Sequence, residues 1–344
     1  MNLNFYYLLI NKYIFFIFLL NFTTNFILIN SKILNLRKEF KDKCNIMDYF
    51  SKFKNIEIKN NHNFYKNLTF EKYRRRLKSW YKRRSKKNLD LNNPKTFNEK
   101  IQWLKLYDSI PMKTLLSDKY LVKDYIKKKI GDKYVIPILK VWDSEKQINF
   151  DSLPKKFVIK ANHGSGMNII IHDKNKSNLK KIKQTAKKWL KINYAFKNGF
   201  ELHYLNIKPK IFAEAYFDNK NGDLYDYKLY CFDGRVESIA FLSGKKKFRR
   251  IAFYDPQWNR LNYTDTYPAF ENEIPKPKNL KTMIEISSKL SKGFAFVRVD
   301  LYVLNNGDIK FGEMTFTPNS GLLIFSPQEQ DRIFGDMIKL PIND

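Results

Sequence analysis

Cysteine is nearly absent: Cys44 and Cys231 are the two in a chain of 344 residues. That excludes a disulfide-stapled scaffold and fits a reducing compartment or free buried thiols. Long hydrophobic runs are missing too. Residues 5–29 are rich in Phe, Ile and Leu, but Asn11, Lys12, Asn21 and Asn25 interrupt them. The longest clean run, Tyr13–Leu20, is too short to span a bilayer, and no convincing small-residue cleavage site follows it. Three readings of residues 1–34 stay open: a membrane anchor, a stretch upstream of a true start at Met47, and a secretory signal. There is no Gly-Lys-Ser/Thr opening a helix, so the Walker phosphate loop is excluded. No internal repeat is visible. Histidine is scarce, at His62, His163, His172 and His203, and only His163 sits in a motif.

Acids are few. Against 64 Lys and Arg there are 34 Asp and Glu, a formal net charge of +30. Such a balance points to nucleic acid or an anionic membrane surface. The chain is, however, saturated with Lys, Asn, Ile, Phe and Tyr, the residues that AT-rich codons supply, so part of the lysine reflects composition. Residues 72–87, KYRRRLKSWYKRRSKK, are the densest basic run. Residues 35–92 read as a basic helical arm. Its bland reading is a solvated face; the alternative is a contact with a membrane surface or an anionic substrate.

What is plentiful argues for a packed protein. With 29 Phe, 21 Tyr and 5 Trp the chain can bury two or three lobes. A folded domain begins near Asn93. Thr96 and Glu99 make a capping box, and Phe97, Ile101, Leu104 and Tyr107 share the face of the helix that follows. Ser117-Asp118 is read as capping a second helix that runs to Ile130 and stops at Gly131. Strands are expected at Val135–Val141, Lys156–Lys160, Asn168–Ile171, Lys210–Phe217, Asp226–Phe232, Val236–Leu242, Arg249–Tyr254, Phe296–Val303 and Lys310–Thr315. Helices are expected at Leu179–Ile192 and Leu280–Ser291. This order of elements indicates α/β or α+β.

Three constellations carry chemistry. In Phe157-Val158-Ile159-Lys160-Ala161-Asn162-His163-Gly164-Ser165-Gly166-Met167 an apolar strand delivers a lysine, and a turn of small residues returns the chain. Gly164 and Gly166 let backbone N–H groups approach an anion; alone, the turn is equally an ordinary hairpin. In Val297-Arg298-Val299-Asp300 and Phe311-Gly312-Glu313-Met314-Thr315, alternation puts Arg298 with Asp300 and Glu313 with Thr315. A hairpin at 305–308 then gathers two carboxylates and a hydroxyl beside an arginine. Hard oxygen donors of this kind suit Mg²⁺. The bland alternative is an Arg298–Asp300 salt bridge. Third, Ile211–Phe217 reads as a buried strand whose end could offer backbone groups to a nucleobase edge, core strand being the default.

In this order the three resemble the ATP-grasp superfamily, with its thirteen-residue step from Asp300 to Glu313. Asn93–Trp103, Ser117-Asp118-Lys119-Tyr120, Lys160–Gly166 and Gly312–Pro318 resemble its TupA-like branch, which is associated with teichuronopeptide and other surface-polysaccharide assembly. Its members are often labelled glycosyltransferases. The resemblance covers residues 93–326.

It implies an α+β ATP-grasp fold: two α+β lobes gripping ATP behind the basic arm. The small lid lobe would span about 156–216 and the metal lobe about 217–326, with a C-terminal helix in 327–344. The implied cofactors are ATP and Mg²⁺. Lys160, Lys123 and Lys228 would contact phosphates under Gly164, Ser165 and Gly166. Glu214 and Tyr216 would line the adenine hinge. Arg298 would steady the transferring phosphoryl group, and His163 would contact phosphate or acceptor, or cap the turn. Asp300 and Glu313 would bridge the metal, with Thr315 in place of the usual Asn. The implied partners are ATP and an acidic saccharide or amino-acid substrate, with a membrane surface as a further contact and nucleic acid disfavoured. The implied place is the cytoplasm or the cytoplasmic face of a membrane.

The rival readings are a sugar-nucleotide glycosyltransferase, which needs an Asp-x-Asp motif that Asp223-Leu224-Tyr225-Asp226 does not supply, and a basic binding module. The βαβ-type domain that ATP-grasp ligases carry ahead of the ATP lobes is not legible in residues 35–90.

Overall fold

The computed structural model describes residues 68–217, 225–243 and 249–341. The expectations for residues 1–34 and for the arm before Leu68 lie outside these residues.

The described part opens with helix α1, Phe70–Ser85, capped by Thr69, whose hydroxyl accepts from Lys72 N. Leu77 and Tyr81 are its buried side chains. Helix α2, Phe97–Tyr107, starts at the expected capping box: Thr96 Oγ1 accepts from Glu99 N, and Glu99 Oε2 accepts from Thr96 N at 3.0 Å. Phe97, Ile101 and Leu104 then fall on one buried face.

The helix read as capped by Ser117-Asp118 begins later, and a short helix that was not expected precedes it: α3 spans Pro111–Ser117 and α4 spans Val122–Ile130. The reason is local. The Asp118 carboxylate accepts from Tyr120 N and Leu121 N at 2.9 and 3.1 Å, so it closes a turn between the helices. Gly131, at φ 116°, ends α4 as expected.

Strands β1 (Ile138–Trp142), β2 (Phe157–Ala161) and β3 (Asn168–Ile171), helix α5 (Leu179–Leu190) and strand β4 (Ile211–Ala215) follow. The four strands form an antiparallel sheet in the order β1-β4-β2-β3. Helix α5 packs Ile182 and Ala186 into the core of this lobe, against Phe157, Ile159 and Ile171.

The second sheet is built from β5 (Tyr225–Phe232), β6 (Arg235–Ser243), β7 (Arg250–Tyr254) and the two-residue β8 (Arg260–Leu261). Helix α6 (Leu280–Ser291) then leads to β9 (Val297–Val303), β10 (Ile309–Thr315) and helix α7 (Glu329–Met337). The strand order is β10-β9-β5-β6-β7-β8, with every pair antiparallel. Strand β8 is too short to leave a periodic signal.

Both faces of this sheet are covered along β7 and most of β6, which read as apolar runs, while β5, β9 and β10 carry Lys228, Asp300 and Glu313 on the face that opens to a cleft. On one face Leu229, Cys231, Val297, Val299 and Leu301 pack with Ile126 of α4 and with Met283, Ile286 and Leu290 of α6. On the other, Tyr230, Phe232 and Phe296 pack with Phe97 and Ile101 of α2 and Phe334 of α7. The fold is therefore α+β, with two antiparallel sheets and their helices. Among the described residues no helix is long and apolar enough to cross a membrane.

Candidate active site

One cleft takes side chains from both sheets. It is lined by Lys119 before α4, Lys123 on α4, Lys160 and Glu214 from the first sheet, and Lys228, Asp300 and Glu313 from the second, beside the turn Ser165–Asn168. The cleft is open to solvent.

The acidic end depends on register. Arg298 and Asp300 lie on the face of β9 opposite Val297, Val299 and Leu301. Asp300 pairs across with Lys228 on β5. The β9–β10 hairpin pairs Leu301 with Phe311 and then Asp300 with Glu313, so Gly312 is an extra residue in β10. That bulge is decisive. Strict alternation from the buried Phe311 would send Glu313 into the core, whereas the inserted residue turns it to Asp300 and the cleft. A Cβ on Gly312 would sit 3.0 Å from Asp300 O and from the Tyr302 ring, so the bulge is tight as well as necessary.

The charges interlock. Arg298 donates from Nε to Asp300 Oδ1 at 2.6 Å and from Nη2 to Asp300 Oδ2 at 2.7 Å. Lys228 Nζ lies 2.7 Å from both Asp226 Oδ2 and Asp300 Oδ2. Lys119 is paired with Glu313. Glu214, buried at 3% exposure, takes Lys123 at 3.0 Å and is also paired with Lys160. Burial alone would push the Glu313 carboxyl up, but Lys119 and Arg298 outweigh it and hold it well below the usual carboxylate range. The Glu214 carboxyl is likewise depressed: burial opposes its charge, and Lys160 and Lys123 win. Asp226 is raised by its burial. Ionised carboxylates and clustered ammonium groups thus share one cleft.

Thr315 stands between its neighbours. Its hydroxyl donates to Glu313 Oε1 at 3.2 Å and accepts from Arg298 Nη2 at 3.3 Å. Among the described residues there is no group of three or more His, Cys, Asp or Glu side chains placed to hold a metal. The hard donors here are the Asp300 and Glu313 carboxylates. This is the donor set of a Mg²⁺ bound through one or two carboxylates, its shell completed by water and phosphate oxygens.

Of the expected residues, His163, Gly164, Tyr216, Arg298 and Thr315 do not line the cleft, although Arg298 and Thr315 adjoin it through Asp300 and Glu313. His163 is buried beneath the turn, with Nδ1 3.1 Å from Asn162 Oδ1 and Nε2 3.0 Å from Trp189 O. Burial lowers its pKa to about 4, so at neutral pH it is an uncharged ring that donates from one nitrogen only. Tyr216 does not line the cleft; its ring meets His172 edge-on at 5.3 Å. The link from Ala215 toward β5 passes through residues 218–224, outside the described residues. Lys123 does reach the cleft but also donates to Ile136 O at 2.7 Å.

Sequence reasoning missed Lys119, although it lay inside a quoted motif. Starting the helix directly after the Ser117-Asp118 cap hid the turn that aims Lys119 at Glu313. The turn is pinned from below: Asn162 Nδ2 donates to Asp118 Oδ2 at 2.8 Å, and Lys119 N donates to Asn162 O at 3.0 Å. Also missed was a buried polar knot beyond Glu313. The fully buried Lys105 donates to Ser320 O at 2.6 Å, Ser320 Oγ at 3.0 Å and Gln102 Oε1 at 2.9 Å. Glu201 beside it accepts from the Thr317 hydroxyl. The backbone there is left-handed at Asn319, Ser320 and Gly321 in succession. Burial drags the Lys105 ammonium down to about 7 against the opposite pull of Glu201.

The family model described as TupA-like ATPgrasp matches residues 99–339. No curated protein matches the chain. Among solved structures, D-alanine–D-alanine ligase from Bacillus anthracis, complexed with ATP, aligns with TM-score 0.40 and 20% identity over 65% of this chain and 65% of that one. N5-carboxyaminoimidazole synthase from Aspergillus clavatus aligns with TM-score 0.36 and 11% identity over 63% and 47%. The ATP-grasp ligase PsnB aligns with TM-score 0.34 and 10% identity over 60% and 54%. In each case the alignment spans less than two thirds of the other protein.

Proposed function

The chain belongs to the TupA-like ATP-grasp family, and from that premise we propose that it is an ADP-forming carboxylate–amine ligase that uses ATP and Mg²⁺. The observation that carries this is the cleft itself: Lys119, Lys123, Lys160 and Lys228 converge on Asp300 and Glu313, beside a glycine turn.

In this reading the four lysines and the backbone of Ser165 and Gly166 receive the triphosphate. Asp300 and Glu313 hold Mg²⁺, which supplies further neutralisation of phosphate charge. An acid substrate's carboxylate oxygen bonds to the γ-phosphorus as ADP leaves, giving an acyl phosphate. An amine nitrogen then attacks the acyl carbon, and phosphate departs. Little covalent chemistry is asked of the protein. Arg298, fixed by two bonds to Asp300, faces the charge that spreads during phosphoryl transfer, where preorganised donors are most effective. Glu214 holds Lys160 and Lys123 side by side. Thr315 orients Glu313 and Arg298 toward each other, and we assign it that task ahead of metal ligation.

The substrate class we favour is an acidic saccharide or amino acid of cell-surface polymer synthesis. That part rests on family kinship rather than on any pocket residue. The test is to incubate the protein with ATP, Mg²⁺ and candidate acids and follow nucleotide products. Acid-dependent ADP release is expected. AMP as the product, or sugar-nucleotide hydrolysis without ATP use, would overturn the reading.

A further inference from the structure

The outer face of α1 takes no part in the cleft, and it is the most basic surface described. Lys72, Arg75, Lys82 and Arg83 are exposed, and at about 100° per residue they share one side of the helix. Lys86 and Lys87 extend the stripe past its end. The single acid of the helix, Glu71, is already near Arg74 at 3.8 Å. Lysine bias does not account for this face: of the twelve arginines in the chain, five (Arg74, Arg75, Arg76, Arg83 and Arg84) lie in α1.

The inner face fixes the helix to the body. Tyr73 stacks on Phe196 at 6.3 Å, and the Trp80 ring takes the Lys105 ammonium at 4.7 Å. The stripe is therefore a rigid row about 24 Å long. At the start of the helix Phe70, on the same side as the buried Leu77, packs on Tyr107 at 5.3 Å. Upstream in sequence, residues 5–29 carry one charge, Lys12, among Phe, Ile, Leu and Tyr.

We propose that the outer face of α1 docks on anionic phospholipid headgroups and holds the enzyme against a membrane surface. The chemistry matches on both counts. Arginine forks and lysine ammonium groups bind phosphate oxygens. Stable surface attachment takes two signals, and a hydrophobic stretch together with a polybasic face is such a pair. A nucleic acid or an acidic polymer would use the cations but leaves the apolar sequence of residues 5–29 without a role.

The test uses the full chain in co-sedimentation with vesicles of phosphatidylglycerol and phosphatidylcholine, and with vesicles of phosphatidylcholine alone, at about 0.1 M and about 0.5 M salt. The K72Q/R75Q/K82Q/R83Q variant removes four exposed charges without touching the packed face. Lys180, Lys181, Lys187 and Lys188 on α5, changed together to Gln, remove the same charge elsewhere. Thermal unfolding confirms that both variants fold. The proposal expects anionic vesicles to bind the wild type at low salt, the α1 variant to lose about 100-fold or more in affinity, and the α5 variant to bind as the wild type does. Equal loss in both variants would reduce the effect to bulk charge and overturn the proposal. So would an α1 variant that binds like the wild type, or wild-type binding to neutral vesicles as tight as to anionic ones. Removal of the wild type from vesicles by polyglutamate at matched charge would assign the face to an acidic polymer instead.

Discussion

Exchanging Glu214 for glutamine tests the electrostatic logic of the cleft at its most buried point. The Glu214 side chain is 4% exposed and holds Lys123 at 3.0 Å together with Lys160. The amide keeps the shape, removes the charge and turns an N–H pair toward ammonium groups. Removing one partner of a buried ion pair costs about 3–5 kcal/mol. The Lys160 side chain is 20% exposed and can swing toward water, so the lower end, about 3 kcal/mol, is expected. At about 2.1 cal/mol/K of unfolding entropy per residue, a chain of 344 residues would show a fall in melting temperature of about 4 °C. The second half of the prediction carries the function. A bound triphosphate supplies the negative charge that the variant lacks, so a non-hydrolysable ATP analogue with Mg²⁺ should raise the melting temperature of Glu214→Gln more than that of the wild type. Differential scanning fluorimetry with and without the nucleotide measures both. If the free variant melts with the wild type, or if the nucleotide shifts the two equally, the lysines are not held for phosphate by Glu214 and the reasoning fails.

Lys160→Ala and Glu313→Ala should each lower acid-dependent ADP release by about 100-fold or more with circular dichroism unchanged; full turnover in both would refute the site. The two glycines of the turn should fail differently. A Cβ at Gly164 would lie 2.3 Å from the Tyr194 ring, an overpacking cost of about 1–3 kcal/mol. Gly166 has open space but φ +72°, so Gly166→Ala should cost about 1 kcal/mol and Gly166→Asn less; urea unfolding separates the cases. The folded pKa of Glu313 lies below its unfolded value, so its contribution is full at neutral pH and is lost as pH falls below about 4. Glu313→Gln should flatten that acid limb in urea midpoints taken from neutral to acid pH. Lys105 titrates near about 7 in the fold and about 10.4 unfolded. The unfolded chain therefore holds more protons between those values, and stability should rise with pH across that window. Lys105→Met should abolish the rise.

Most elements were legible because their cores alternate simply. Asn168–Ile171 and Leu280–Ser291 were expected at the bounds observed, and Thr96 with Glu99 marked a helix start without tertiary help. Arg298 and Asp300 meet because they are two residues apart on one strand. Glu313 was placed correctly for an incomplete reason: its face depends on the bulge at Gly312, which is invisible to a period of two. Lys119 was hidden because a carboxylate at Asp118 can cap a helix or close a turn, and the choice is made by Asn162, 44 residues away. His163 was misplaced because motif membership says nothing about which way a ring turns. The knot around Lys105 had no local signal, since Lys105, Glu201 and Ser320 are distant in sequence and none looks unusual alone.

The bulge at Gly312 also bears on how this cleft could diversify. One inserted residue decides whether an acid faces solvent or core, and the strand pairs normally on either side of it. If Gly312 paired regularly instead of bulging, the register would slip by one residue and Glu313 would turn into the hydrophobic interior. A descendant could thus keep the fold, the lysines, the turn and both acids yet be inert, through a change of pairing at a glycine that itself lines the cleft. For relatives of this chain, the register in which the two strands of this hairpin pair is a sharper sign of a working cleft than the presence of the acids themselves.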